Sequence, residues 1–283
     1  MNDSRTIAVT GSTGVLGGLV ARELAERGVS QRLLVRDVAR APKLPRTSVH
    51  RFSYTDVAAT GVALDGVQTL FMVSASESAD RLDQHRTFID AAARAGVDHV
   101  IYTSFAAAAP DATFTLARDH YATEEHIKQS GMRWTFLRDS FYLDFMEALI
   151  GEDGVIRGPG GNGRAAFVAR SDIARAAATV LADPEPHIGK TYNLTGPEAL
   201  TLAEVAETIS NVRGRGVTYH SESIEEAYRS RAGYGAPDWQ LDAWVSTYTA
   251  IGSNIMAPVS PAIETITGTA PITLETYLRR NPR

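Results

Sequence analysis

The chain has no cysteine, which excludes disulfides, thiolate nucleophiles and cysteine-ligated metals. Lysine is almost as scarce: among 28 basic residues the lysines are Lys43, Lys128 and Lys190, and the rest are arginines. The net charge is −5 and no block of basic residues occurs. A nucleic-acid surface needs clustered positive charge, so none is expected. No apolar run approaches the length of a bilayer span, so no membrane partner is expected either. The N-terminus is polar and passes into a strand pattern almost at once. The expectation is therefore no signal peptide, with the cytoplasm as the default location.

What is present is a globular composition, 44% hydrophobic and 22% charged, enough for one large or two small cores. The most informative segment is Ile7-Ala8-Val9-Thr10-Gly11-Ser12-Thr13-Gly14-Val15-Leu16-Gly17-Gly18. It reads as a short apolar strand, then Gly-x-x-Gly-x-x-Gly, then an apolar helical repeat. Gly11 lets the chain turn sharply off the strand, Gly14 keeps no side chain in the way of a pyrophosphate, and Gly17 lets the helix lie close to the sheet. Free N–H groups at the helix N-terminus then receive the phosphate. A second strand ending in charged residues completes the context that three glycines alone lack.

Strand and helix patterns alternate through the first half. Strands are expected at Arg5–Thr10, Arg32–Arg36, Val49–Phe52, Thr69–Val73, His99–Thr103 and Thr135–Leu137, with helices near 15–28, 57–65, 79–96 and 117–130. Short apolar strands bounded by turn residues, with helices between them, are the signature of βαβ units around a buried parallel sheet. The rhythm breaks near residue 150. Two glycine clusters bracket Val155-Ile156-Arg157, which predicts a small hairpin arm; no Gly-Lys-Ser/Thr follows, so it is not a P-loop. Ser171 or Asp172 is expected to cap a helix running to about Leu181, Lys190–Thr195 to be a strand rejoining the sheet, and Thr201-Leu202-Ala203-Glu204 to be a capping box. Residues 217–283 hold a short strand, Val217–His220, several helices and a set of large aromatics: Tyr228, Tyr234, Trp239, Trp244, Tyr248 and Tyr277. These rings pack a small core or roof an apolar substrate cleft. The expected fold is α/β, a doubly wound parallel-sheet Rossmann fold with a smaller, mainly helical C-terminal lobe. The nucleotide-binding domain is placed at 1–150 plus 171–195, the substrate-side lobe at 151–170 plus 196–283, and the cleft between them.

The second strand ends Leu34-Val35-Arg36-Asp37. An acidic residue at that tip suits the ribose 2′-hydroxyl of NAD; an arginine suits the 2′-phosphate of NADP. Arg36 occupies the tip, so NADP(H) is expected, and Arg40 either adds to the phosphate site or is a solvated loop residue. Asp56 caps the next helix or lies near adenine. Val73-Ser74-Ala75-Ser76 ends the fourth strand, and its small residues let a ribose and pyrophosphate approach.

Many sequences with this glycine fingerprint are short-chain dehydrogenases, which use Tyr-x-x-x-Lys as a proton relay. None of the ten tyrosines here has a lysine four residues later; Ala39, Glu124 and Pro186 precede the lysines at that spacing. A nucleotide-sugar epimerase or dehydratase needs the same pair and is disfavoured. No Gly-x-Ser-x-Gly elbow occurs, and the seven histidines form neither His-Glu-x-x-His nor His-x-His, so neither a hydrolase triad nor a zinc site is supported.

The chain resembles the NmrA-like group of atypical short-chain dehydrogenases/reductases, and within it the NADPH-dependent quinone oxidoreductases and triphenylmethane dye reductases. The resemblance rests on Thr10–Gly17, Val35-Arg36-Asp37, Ala95–Ser104, His120-Tyr121-Ala122-Thr123-Glu124, Thr135–Arg138 and Lys190–Gly196. It implies a cofactor site built from Gly11, Ser12, Thr13, Gly14, Val15, Leu16, Arg36 and the Ser74–Ser76 loop, with nicotinamide contacts from Thr103, Ser104 and the segment Arg138–Tyr142. It also implies an NADPH-dependent reductase acting on a quinone-like or other flat aromatic acceptor, with a homodimer as one assembly seen among such reductases. His120 stands where related reductases place a functional lysine. His120 and Tyr142 are the candidate catalytic donors of a proton or hydrogen bond. The alternative is a non-catalytic NADP(H)-sensing regulator of the NmrA type.

Overall fold

Ile7 to Thr10 are buried on both faces, and a short apolar run of that kind is satisfied as a strand inside a sheet. In the computed structural model, which describes residues 6–282, this strand is β1 (Ile7–Thr10). It is followed by α1 (Val15–Glu26), β2 (Gln31–Val35), β3 (Thr47–Arg51), α2 (Val57–Leu64), β4 (Thr69–Met72), α3 (Arg81–Arg94), β5 (His99–Phe105), α4 (Thr115–Gln129) and β6 (Arg133–Asp139). The remainder contains β7 (Val155–Gly158), β8 (Arg164–Ala165), α5 (Arg170–Ala182), β9 (Lys190–Leu194), β10 (Leu200–Thr201), α6 (Leu202–Arg213), β11 (Thr218–Ser221), α7 (Ile224–Arg231), α8 (Asp238–Gly252), α9 (Ala262–Thr267) and α10 (Leu274–Arg280). Every expected strand of the first half is present, with ends shifted by one or two residues. Arg5, the expected start of the first, lies outside the described residues.

β1–β6 and β9 form one seven-stranded parallel sheet in the order β3-β2-β1-β4-β5-β6-β9. β1 pairs in parallel with β2 on one side and β4 on the other, so the strand order reverses there. Such a reversal opens a crevice beyond the carboxyl ends of the strands, and ligands of doubly wound sheets bind in it. No helix among the described residues is long and apolar enough to cross a membrane.

The chain divides into two compact units. The first comprises residues up to Phe105, Asp119–Arg138 and Ile173–Tyr192. Its core on one face of the sheet is built from Leu34, Leu70, Met72, Phe88, Val100, Tyr102 and Phe136, all at most 1% exposed. The second comprises Ala106–Arg118, Asp139–Asp172 and residues from Asn193 onward. Capping boxes start α6 (Thr201 with Glu204) and α7 (Ser223 with Glu226), and the nearly buried pair Glu147–Arg213, 2.9 Å, ties α6 to the segment after β6.

Two local expectations are corrected. The hairpin arm is reduced to one tight turn, in which Gly151 N donates to Val155 O at 3.0 Å and Ile150 bridges Ile156 antiparallel; β7 itself pairs in parallel with β11 and β8 antiparallel with β10, so the second glycine cluster connects strands of two different small sheets. Neither Ser171 nor Asp172 caps α5, which already begins at Arg170; the Asp172 carboxylate instead accepts from Ile272 N, 2.8 Å. Of the late aromatics, Tyr248 is buried beneath the Arg231 guanidinium, 5.0 Å from its ring, and Tyr234 meets Trp244 edge-on. Together with Leu149 and Val155 these rings line a cavity of about 540 Å³ within the second unit.

The turn from β1 into α1 sets a steric condition. A Cβ at residue 17 would lie 2.4 Å from the Gly11 carbonyl oxygen and 2.7 Å from that of Thr10, both backbone atoms that cannot swing aside. Gly17→Ala is expected to destabilise the protein by about 1–3 kcal/mol. Gly61→Ala in α2, where nothing lies within 4 Å, is expected to be neutral or stabilising by about 0.5–1 kcal/mol. Thermal denaturation of the two variants checks the contrast.

Candidate functional site

The first unit carries a cavity of about 410 Å³ at the carboxyl ends of β1, β2 and β4. Gly11 turns off β1 with φ +66°, where a side chain would be strained and a Cβ would meet Val73 at 3.0 Å. Gly14 is the N-cap of α1 and supplies no capping side chain, so the first N–H groups of the helix open toward the cavity that Val15 and Leu16 line. Thr13 lines it as well, and Val15 is half-exposed there.

Arg36 and Arg40 line the far end of the cavity beyond β2. Asp37 is turned aside, where its Oδ1 accepts from Ala39 N at 3.0 Å and caps a single 3-10 turn, Val38–Arg40. The capping turn is the reason that Arg36 and not Asp37 faces the cavity. Phe52 and Tyr54 lie on the cavity wall, and the Tyr54 hydroxyl donates to Val73 O at 2.9 Å. Burial pushes that hydroxyl up to about 12, so it stays a neutral donor.

Val73, Ser74, Ala75 and Ser76 form the opposite wall. Thr10 Oγ1 accepts from Val73 N (2.8 Å) and Thr103 Oγ1 accepts from Ser74 N (2.9 Å). Thr103 therefore stands behind the wall and is not part of its lining. Ser104 donates to Glu124, whose carboxylate also takes a two-point bond from Arg138 at 2.8 and 2.6 Å. Ser12 is buried, does not line the cavity, and its hydroxyl has no partner among the described residues. Asp56 caps α2 by accepting from Ala59 N and also lies outside the lining.

His120 is one turn into the part of α4 that faces β5 and α3. Arg81 Nη2 donates to its Nε2 at 2.9 Å, so the ring proton sits on Nδ1 and is directed at the Tyr102 oxygen, also 2.9 Å away. Both ring nitrogens are thus engaged, and the residue is buried and outside the cavity lining. Burial, with Arg81 beside it, holds its pKa well below the usual histidine range. Tyr142 belongs to the second unit. Its hydroxyl meets Asp139 Oδ2 at 3.0 Å, and burial followed by the Asp139 charge pushes its pKa well up. Asp139 is itself buried and its carboxyl is pushed well above the usual range by desolvation. The structure thus brings together the glycine turn, Arg36 and the Val73–Ala75 loop; it places Ser12, Asp56, Thr103, Ser104 and His120 outside the cavity lining. Tyr54, Arg81 and His85 carry no motif in the sequence and become visible only through their bonds to the loop after β4.

The buried histidines give the site a pH signature. Burial lowers His85 to about 3 and His99 to about 4, and His120 falls well below its ordinary value. In each case the unfolded chain binds a proton that the folded chain refuses, so stability is full above pH ~6.5 and is lost as pH falls toward the folded values, by about 1.4 kcal/mol per pH unit per residue. Asp139, shifted upward, works in the opposite sense, one group against three. Melting temperature is expected to fall steadily from pH 7 to pH 5; a flat profile over that range would contradict the buried neutral assignment.

The sequence model of the NmrA-like family matches residues 3–261. Quinone oxidoreductase 2 of Escherichia coli (strain K12) is 36% identical over 243 residues, covering 83% of this chain and 84% of that protein. NAD(P)H azoreductase of Xenophilus azovorans is 32% identical over 267 residues, 93% of each chain. The crystal structure of Citrobacter sp. triphenylmethane reductase complexed with NADP(H) superposes with a TM-score of 0.85 at 32% identity, covering 98% of this chain and 100% of that one. With a family match over most of its length and relatives above 30% identity across nearly all of it, the chain belongs to the NmrA-like family.

Proposed function

We propose that this chain is an NADPH-dependent reductase that passes a hydride to a quinone-like or other flat conjugated acceptor. The observation that carries the reading is the convergence, in one cavity, of a side-chain-free turn, an uncapped helix N-terminus and an exposed arginine. The residues present fit a phosphorylated dinucleotide. The cradle depends on the bare backbone at Gly17, where a Cβ would lie 2.4 Å from the Gly11 carbonyl oxygen, and Arg36 stands at the cavity's far end while the neighbouring Asp37 is occupied by a turn. The relatives named for quinone and azo reduction, and the triphenylmethane reductase crystallised with NADP(H), support both cofactor and reaction class.

When bound, NADPH supplies the hydride. The chain's own contribution is binding and positioning. The first N–H groups of α1 hold the pyrophosphate, Arg36 with Arg40 recognises the 2′-phosphate, and the Val73–Ala75 wall fixes the approach of the ribose. A quinone or conjugated dye takes a hydride without a prior proton, because delocalisation stabilises the product. The absence of a Tyr-x-x-x-Lys pair is then no obstacle. Tyr142 belongs to the second unit and its hydroxyl donates to Asp139 Oδ2; with its pKa pushed up it keeps its proton, as a hydrogen-bond donor and not a strong acid. His120, with both nitrogens engaged, is assigned a positioning role.

The test is NADPH oxidation with a panel of quinones and azo dyes. Turnover with at least one class is expected; tight NADPH binding with no turnover on any of them would favour a cofactor-sensing protein. Arg36→Ala is expected to raise the NADPH dissociation constant about 10- to 100-fold, the range of a lost charge-assisted contact, while changing NADH binding little. Equal loss for both cofactors in titration calorimetry would remove the phosphate role.

A further inference from the structure

We infer that the segment His120-x-x-Thr123-Glu124 on α4 is a positioning device that sets the cofactor-facing loop after β4, acting through Arg81 and His85, which grip the Ala75 peptide from both sides. The inference rests on the reading of the first-unit cavity as an NADP(H) site.

The geometry is closed at every joint. Ala75 presents one N–H and one C=O, and neither is bonded to a strand. Its N–H donates to His85 Nε2 at 2.9 Å, and its carbonyl accepts from Arg81 Nε at 3.0 Å. Both side chains come from the first two turns of α3, four residues apart, on one face of that helix. Because Ala75 N–H can only donate, His85 is the Nδ1–H tautomer. That proton faces Thr123 Oγ1 at 2.9 Å, and the Thr123 hydroxyl passes its own to Asp119 O at 2.7 Å. Arg81 is held likewise: Nη2 on His120 Nε2 at 2.9 Å and Nη1 near Asp119 Oδ2 at 3.5 Å. His120 rests in turn on Tyr102 of β5. One turn of α4 thus fixes the outer ends of the two side chains whose inner ends fix Ala75.

Every group named except Asp119 and Ala75 is buried, so each bond replaces water that cannot reach it. Breaking one joint leaves a buried donor or acceptor unpaired and lets the loop shift. Glu124 extends the same face by receiving Ser104 and Arg138 at the ends of β5 and β6. Ala75 lines the cavity while Arg81, His85, His120 and Thr123 do not, so these four affect a bound cofactor only by placing the wall. None of the bonds that hold Ala75 involves Arg36, so the effect is expected to be blind to the 2′-phosphate.

The experiment measures NADPH and NADH dissociation constants, with melting temperatures, for the full-length wild type and for His85→Leu, His85→Gln and Thr123→Val. His85→Leu is expected to weaken both cofactors by a similar factor, on the order of tenfold. His85→Gln, whose amide oxygen can accept from Ala75 N–H, is expected to recover binding to within threefold of wild type. Thr123→Val, which removes only the outer joint, is expected to weaken both by about threefold and folds even if His85→Leu does not. Unchanged dissociation constants in a folded Leu or Val variant whose melting temperature has dropped would overturn the inference, leaving these residues as core packing alone. Loss confined to NADPH, or no recovery in a folded Gln variant, would overturn it too. If the wild type bound neither cofactor, the reading of the cavity itself would fail, which is a separate result from cofactor binding that ignores the variants.

Discussion

The backbone of Gly17 lies against the carbonyl oxygen of Gly11 so closely that a single methyl group would sit 2.4 Å from it. That approach draws the first turn of α1 onto the end of β1 and leaves the helix N-terminus pointing into the crevice where the strand order reverses. The consequences follow in order. The N-terminal N–H groups have no side-chain cap, the turn carries no side chain at 14, and the space beyond β2 is closed by Arg36. An anion with a long, narrow, phosphate-bearing body is what such a surface accommodates.

Holding this crevice open has a second cost in the first unit. The loop after β4 leaves the sheet with its peptide groups unpaired, and unpaired groups away from water are costly. The chain satisfies Val73 and Ser74 from Thr10 and Thr103 on neighbouring strands and Ala75 from side chains of α3, which are held in turn from α4. The histidines used are neutral, with desolvation lowering their pKa, so bonds are gained without burying further charge. The cation of this network, Arg81, stands beside the partly exposed Asp119. The same buried arrangement explains why His120, a candidate proton donor by sequence, has no nitrogen left for an external group.

The sheet and the glycine turn were legible because they depend on local rules. Apolar strands of four to seven residues alternate with helices, and three glycines at one fixed spacing need no knowledge of distant contacts. Arg36 was legible as a candidate, but its preference over Asp37 depended on a capping turn that no alternation pattern contains. The clamp on Ala75 was not legible. Arg81 and His85 are four apart on an ordinary amphipathic helix, and the residues that give them meaning lie 38 to 39 positions later. The region after residue 150 misled for a related reason. Two glycine clusters around Val155-Ile156-Arg157 look like a hairpin, but beyond the single Ile150–Ile156 bridge β7 finds its strand partner in β11, more than sixty residues away, where no turn signal could announce it. Local chemistry predicts what local geometry satisfies; the remainder is fixed by packing partners that only the folded chain brings together.

The most direct measurement is a crystal structure of the protein grown with NADPH. The expected result is a pyrophosphate on the Gly11–Leu16 turn, a 2′-phosphate against Arg36 and the Ala75 peptide still held by His85 and Arg81. A dinucleotide bound elsewhere on the chain, or a turn left empty at saturating NADPH, would contradict it.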